Sequence, residues 1–322
     1  MKKINAFMGR YMAQLVVSSV LLGIFFPTFF SPLSHFTMAL FAFMTFANSL
    51  DGGFREMKNV ICRPLPVVAV FSIQHIVMPL LALGIGSLLF QESPMFTTGL
   101  VLEFVVPTGV ASLMWVAMGR GNTVLTLSMV LLDTLLSPLV IPLSLRLLLG
   151  SVVKMDTWGM MRDLLIMVAI PALLAMTLYQ ISGGRVSSTL KPRLAPFAKC
   201  SMLLVVLSNA TGCASYLRSL TPTLALVIVT VISLALTGYF LGYWAGHFLG
   251  VDFPTQLSMS LNSGMRNIAA GAVLATEYFP GDAVFPVAFS PLFFQAVTSV
   301  IVKLLHATKP GRAFAAKHQE PS

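Results

Sequence analysis

Apolar runs of about twenty residues tile this chain almost from end to end. A bilayer core of about 30 Å takes about 20 residues of helix. Ten such runs fit along the 322 residues: 11–30, 33–50, 65–89, 95–118, 122–149, 158–181, 194–214, 222–249, 254–278 and 283–306. Short hydrophilic joints separate them, from Asp51–Arg63 to Phe279–Asp282. Composition agrees, with 57% apolar residues and 10% charged, where a soluble domain carries about 25% charged. The mean hydropathy is +0.87. A soluble globular enzyme, a disordered chain and a disulfide scaffold are thereby excluded, and an all-α integral membrane protein with ten transmembrane helices is expected.

The formal charge of +9 reads as a topology signal rather than a nucleic-acid footprint. With the N-terminus inside, fifteen Lys and Arg fall in inner loops and tails and four in outer ones, while Arg266 falls within a span. Both termini are therefore expected in the cytoplasm, with the lipid bilayer and no nucleic acid as partner. The basic start, Met1-Lys-Lys-Ile-Asn, resembles the end of a signal peptide, but no small-residue cleavage site follows Leu15–Phe30, so this run is kept as the first helix. Cys62, Cys200 and Cys213 form no disulfide or metal spacing. The whole chain, 1–322, reads as one membrane domain, with 309–322 as a disordered basic cytoplasmic tail.

Two runs cannot be continuous helices. Val106-Pro107-Thr108-Gly109 interrupts the fourth, where proline removes a backbone donor and clashes with the preceding turn. Asn262-Ser263-Gly264-Met265-Arg266-Asn267 interrupts the ninth with polar and glycine residues. Non-helical backbone at that depth survives only inside protein or against a water-filled cavity. Pro107 and Asn262 lie 155 residues apart, close to half the chain. The breaks thus occupy matching places in two five-span halves, about 11–149 and 158–306. Five is odd, so the second half enters upside down. Interrupted spans at matching positions of inverted repeats are the best sequence pointer to a transporter's binding site; the alternative is a pair of ordinary Pro or Gly kinks.

Several stretches carry a family resemblance. Pro107-Thr-Gly-Val-Ala-Ser-Leu-Met-Trp-Val-Ala-Met-Gly-Arg-Gly-Asn122 resembles the fourth-span motif of the bile acid/sodium symporters, and Ser263-Gly-Met-Arg-Asn267 resembles their ninth-span motif. Met44–Leu50, Gln74–Pro79 and Thr134–Leu139 resemble their second, third and fifth spans. The resemblance implies a core of spans 3–5 and 8–10 against a panel of spans 1, 2, 6 and 7, with the broken spans crossing in the core. It also implies sodium-coupled uptake of organic anions held between core and panel.

Carried over residue by residue, the family's first sodium site falls on Ser112, Leu113, Thr126, Val130 and Asn262, and its second on Asn262, Arg266 and Gln74. A hard cation wants oxygen ligands. Leu113 and Val130 offer none from their side chains, Asn262 lacks the family's charge, and arginine carries a permanent charge with no acceptor. Two acids stand nearby. Glu103 lies four residues before Pro107, and Asp133 shares a helix face with Thr126, Val130 and Ser137. Arg266 is expected to act as a built-in cation paired with Asp133, Glu103 or both, leaving coupling to one sodium or one proton at most. The alternatives are that Glu103 is solvated at the outer end of its span, that Asp133 only joins helices, and that Arg266 holds broken-helix carbonyls or binds a substrate carboxylate. His75 could titrate near neutral pH or be a packed hydrogen-bonding residue.

The expected substrate site comprises Thr108, Gly109, Asn262, Ser263, Gly264, Arg266, Asn267, Asn48 and Asn209. The expected coupling-ion site comprises Ser112, Thr126, Gln74, Asn262, Glu103 and Asp133, with no cofactor beyond a possible Na+ or H+. No phosphate-binding loop, metal-spaced cluster or nucleophile–base pair is present, so an enzyme is not expected. The expected function is secondary transport of a small organic anion by alternating access in a bacterial inner membrane, with monomer as a plausible state. The rival reading is a transport-inactive sensor or an uncoupled facilitator.

Overall fold

A computed structural model describes residues 5, 7–8, 11–57, 64–150, 155–212, 214, 216 and 221–317. Helices account for the regular structure, and there is no β-strand among the described residues. They run α1 (Met12–Phe25), α2 (Pro27–Asp51), α3 (Pro64–Leu89), α4 (Pro94–Val105), α5 (Ala111–Met118), α6 (Thr123–Leu149), α7 (Thr157–Ile181), α8 (Lys191–Gly212), α9 (Pro222–Phe248), α10 (Phe253–Gly264), α11 (Ile268–Tyr278), α12 (Gly281–Ala307) and α13 (Lys309–Lys317). Seven described helices are long and apolar enough to cross a membrane: α2, α3, α6, α7, α8, α9 and α12. The side chains of Phe29, Leu147 and Phe248 stand more than three-quarters exposed, as lipid-facing residues do. Lys309–Lys317, expected in a disordered tail, is helical, with the Phe314 ring 5.3 Å from that of Phe253.

The prolines shape these helices. Pro138 cannot donate to the Thr134 carbonyl four residues back, and the Ser137 hydroxyl donates there at 2.8 Å instead. In α3 the turn Ile73–Val77 is widened to a π-helix just before Pro79, and Met78 N–H reaches back five residues to the Ile73 carbonyl. The next bond of that widened turn would run from Pro79 to the Gln74 carbonyl, and proline has no N–H to give. Gln74 is therefore left with a free carbonyl inside the protein. A second π-turn, Leu165–Ala169, precedes Pro171 in α7.

Packing separates two groups of helices. In one, α8 lies along α1 and α2, and α7 lies on α2. In the other, α3 packs on α4, α9 on α10, and α12 on α4 and α11. The largest apolar cluster includes Leu100, Phe104, Ile141, Val273 and Phe285, all buried. Close approach is built in where α9 meets α10: a Cβ on Gly242 would lie 2.5 Å from the Met259 carbonyl oxygen.

Candidate functional site

Both expected breaks are present, and they meet. The fourth run leaves helical geometry at Val106, which is extended as residues before proline tend to be, and resumes at Ala111. The ninth leaves it at Met265 and resumes at Ile268, where the Asn267 side chain caps the new helix by accepting from Ala270 N–H at 3.3 Å. Between them Thr108 and Arg266 form an antiparallel bridge. Asn267 N–H donates to the Pro107 carbonyl at 2.8 Å, and Gly109 N–H to the Met265 carbonyl at 3.4 Å. Each break supplies partners for backbone groups that the other left unpaired, which is what buried non-helical backbone requires. A Cβ at position 109 would lie 2.6 Å from the Arg266 carbonyl oxygen, so only glycine allows this crossing.

Polar side chains from four helices fasten the crossing. Thr108 donates its backbone N–H at 2.6 Å and its hydroxyl at 2.9 Å to Asp133 Oδ2. The other oxygen, Oδ1, lies 2.9 Å from His75 Nε2. Gln74 Nε2 donates to the Thr108 hydroxyl oxygen at 2.5 Å and to the Asn262 carbonyl at 2.8 Å, bridging both breaks. Beside it, the Asn262 amide donates to Thr126 Oγ1 at 2.9 Å and to the Ser258 carbonyl at 2.7 Å, and its oxygen accepts from Ser112 at 3.2 Å. Thr126, Val130, Asp133 and Ser137 are all buried.

The expected direct pairing of Arg266 with Asp133 or Glu103 is absent; among the described residues Arg266 forms no ion pair. Thr108 and His75 engage Asp133 on both oxygens. The guanidinium turns instead toward the Gln74 carbonyl that Pro79 leaves free, with Nη2 at 3.5 Å. Its Cζ lies 6.0 Å from the centre of the Phe104 ring. Nε and Nη1 have no partner, although Arg266 is only 3% exposed. Glu103 is not solvated: it is fully buried, and neither carboxyl oxygen has a partner. Ser290 sits near it but gives its hydroxyl to the Pro286 carbonyl at 2.8 Å.

A cavity of about 160 Å³ lies between the two helix groups, against the crossing. Of the expected substrate residues, Gly109, Arg266, Asn267 and Asn48 line it, together with Thr45, Ser49, Thr134 and Gln295. Thr108, Asn262, Ser263 and Gly264 are buried and do not line the cavity, nor do the buried Gln74, Ser112, Thr126, Glu103 and Asp133. Asn209 is buried in α8 and does not line the cavity. Leu113 and Val130, which occupy sodium-ligand positions in the family resemblance, line it with apolar surface. Cys200 is free and exposed. Cys62, Cys213 and the basic residues Lys2, Lys3, Arg10, Lys58, Arg63, Lys154 and Arg218 lie outside the described residues.

Sequence reasoning gave His75 no partner and left Gln295 unplaced. His75 pairs with Asp133 across 58 positions, and Gln295 Oε1 accepts from Trp115 Nε1 at 2.7 Å. A histidine one residue from Gln74 and an acid on the opposing helix was the available signal for the first. A lone glutamine within an apolar run was the signal for the second.

A multi-span helical protein with two interrupted helices crossing beside a partly polar cavity has the build of a membrane transporter. The family model described as Sodium Bile acid symporter family matches residues 37–220, and the chain belongs to that family, a transporter family rather than an enzymatic one. The chain is 40% identical over 295 residues to YbaS of Bacillus subtilis (strain 168), covering 92% of this chain and 96% of that protein. It is 25% identical over 305 residues to YocS of the same organism, named as an uncharacterized sodium-dependent transporter, covering 95% and 90%. It is 29% identical over 257 residues to BASS1 of Oryza sativa subsp. japonica, named as a probable chloroplastic sodium/metabolite cotransporter, covering 79% of this chain and 62% of the plant protein.

Proposed function

We propose that the protein is a secondary transporter of a small organic anion, working by alternating access in a bacterial inner membrane. The observation that carries this reading is the cavity of about 160 Å³ beside the crossed breaks, with Arg266 in its wall. A guanidinium there offers planar, charge-assisted donors suited to a carboxylate. The small volume favours an organic acid of a few carbons over a bulky steroid. The Asn267-capped N-terminus of α11 adds free N–H groups and a positive dipole end on the same wall.

In this reading α1, α2, α7 and α8 form a panel and the remaining spans a core, and the two rock as units around the cavity. The ten spans form two inverted repeats with both termini cytoplasmic. The distribution of basic residues and the meeting of the two breaks support that arrangement. Coupling to sodium is reduced. At the positions the family uses for sodium, Ser112, Thr126 and Asn262 hydrogen-bond one another, Leu113 and Val130 bring no side-chain oxygen, and Arg266 brings a fixed positive charge.

The test is accumulation of labelled small organic acids in vesicles reconstituted with the full chain, under an imposed sodium gradient, an imposed proton gradient, or none. Accumulation above equilibrium with one of the gradients supports the reading. Specific binding without flux supports the sensor alternative, and equilibration without accumulation supports a facilitator.

A further inference from the structure

Two oxygens of Glu103 and two nitrogens of Arg266 are buried without hydrogen-bond partners. The Arg266 Cζ lies 6.0 Å from the centre of the ring of Phe104, the residue after Glu103, and its charge acts on the Glu103 carboxyl. We propose that Glu103 binds the transported proton, so that the carrier moves one monoanionic carboxylate together with one H+. This rests on the organic-anion reading above and names its coupling ion.

A carboxylate buried without a hydrogen bond or ion pair is strongly disfavoured, and such a group keeps its proton unless a cation turns toward it. The ionisable groups on the elements around Glu103 are few. On α3, His75 is committed to Asp133 of α6, and Asp133 also accepts twice from Thr108. On α12, Asp282 accepts from the Tyr216 hydroxyl, His306 Nε2 lies 3.0 Å from the Gly119 carbonyl oxygen, Lys303 is exposed, and the Ser290 hydroxyl is committed to Pro286; Arg146 of α6 is exposed. On α11, Glu277 stands near the far end of the helix, almost three turns beyond Arg266. Arg266 is left as the cation that Glu103 can use, and it is also the cation in the cavity wall.

A substrate anion and an ionised Glu103 therefore compete for one guanidinium. Ionised Asp133 already offsets the charge on Arg266. Adding both a substrate anion and an ionised Glu103 would put two uncompensated negative charges in a region of low dielectric. The loaded carrier holds the proton on a Glu103 oxygen and the anion on Arg266. The empty carrier releases that proton as a new O–H bond elsewhere, to water on the open side, and Glu103 turns to Arg266. The loaded complex carries no net charge beyond that of the empty one, so the cycle is electroneutral.

The proton itself is the first probe. Infrared difference spectra of the full chain in vesicles, taken between mildly acidic and alkaline pH, are expected to show a protonated-carboxyl C=O band. The band should vanish in Glu103→Gln, shift in Glu103→Asp and persist in Asp133→Asn. A spectrum without that band, or one unchanged by both Glu103 variants, overturns the assignment. The second measurement uses any carboxylate found by the uptake assay. A gradient of about one pH unit, or about 1.4 kcal/mol per proton, should sustain about tenfold accumulation that does not respond to membrane potential. Accumulation driven by sodium or by potential leaves the organic-anion reading standing and sinks this one. If no carboxylate is carried, the organic-anion reading fails, and the infrared result still decides whether Glu103 takes the proton.

Discussion

Thr108 gives both its backbone N–H and its hydroxyl to a single oxygen of Asp133, at 2.6 and 2.9 Å. One carboxylate on an unbroken helix thus holds the loose end of a broken one. Replacing Asp133 by alanine strands two donors of Thr108 and one ring nitrogen of His75 in the protein interior. The expected cost is about 3–5 kcal/mol, as for one partner removed from a buried polar pair. Asparagine retains an acceptor for Thr108 and should cost less. Thermal unfolding of the detergent-solubilised protein should rank wild type above Asp133→Asn and Asp133→Ala lowest; equal midpoints would show that the carboxylate does not hold the break.

Thr108→Val keeps the backbone N–H and removes the hydroxyl. The Asp133 oxygen loses one donor, and the Gln74 amide loses the acceptor at 2.5 Å. A loss of about 1–3 kcal/mol is expected, with Thr108→Ser restoring most of it. Chemical denaturation of the two variants side by side provides the comparison. If serine is no better than valine, the hydroxyl is not what matters at this position.

Gly109→Ala places a methyl 2.6 Å from the Arg266 carbonyl oxygen, a backbone atom that cannot swing away. The crossing must open, at about 1–3 kcal/mol, the range for overpacking. The protein should still insert in the membrane and still be recovered as a monodisperse peak, while uptake falls sharply. Wild-type uptake by Gly109→Ala would mean that the two breaks need not touch.

Arg266→Lys keeps the charge and loses the planar fork, so it should rescue little at a site that grips a carboxylate by two N–H groups. We expect Arg266→Lys and Arg266→Gln both to weaken substrate binding by about tenfold to a hundredfold, from the loss of charge-assisted hydrogen bonds. Binding to the detergent-solubilised variants can be followed by calorimetry. A lysine variant with wild-type affinity would reduce the role of Arg266 to that of a point charge.

Seven membrane-length helices and both breaks were legible because hydropathy, proline and glycine act locally. Pro107 and the run Asn262–Asn267 announce their own interruptions wherever the helices end up. The partners of buried polar groups were not legible in the same way. His75 meets Asp133, and Arg266 meets the Gln74 carbonyl, only because α3 and α6 are rotated to face one point, and rotation is set by packing across the whole bundle. The expected pairing of Arg266 with Asp133 failed for that reason: Thr108 and His75 reach the carboxylate first. The widened turn at Ile73–Val77 has a local cause in Pro79, but whether proline produces a kink, a π-turn or a break depends on what lies beside it. Helix α13 was missed because its sequence is basic and polar, while its hold on α10 includes the Phe314 ring on Phe253.

Counterflow tests most directly whether the carrier binds an organic anion at the crossing through Arg266. Vesicles containing the full chain are loaded with an unlabelled small carboxylate and diluted into a trace of the labelled form, with no ion gradient imposed. A transient overshoot of label is expected in the wild type for at least one carboxylate, and its loss in Arg266→Gln. No overshoot with any small carboxylate, or an overshoot that Arg266→Gln leaves unchanged, would contradict it.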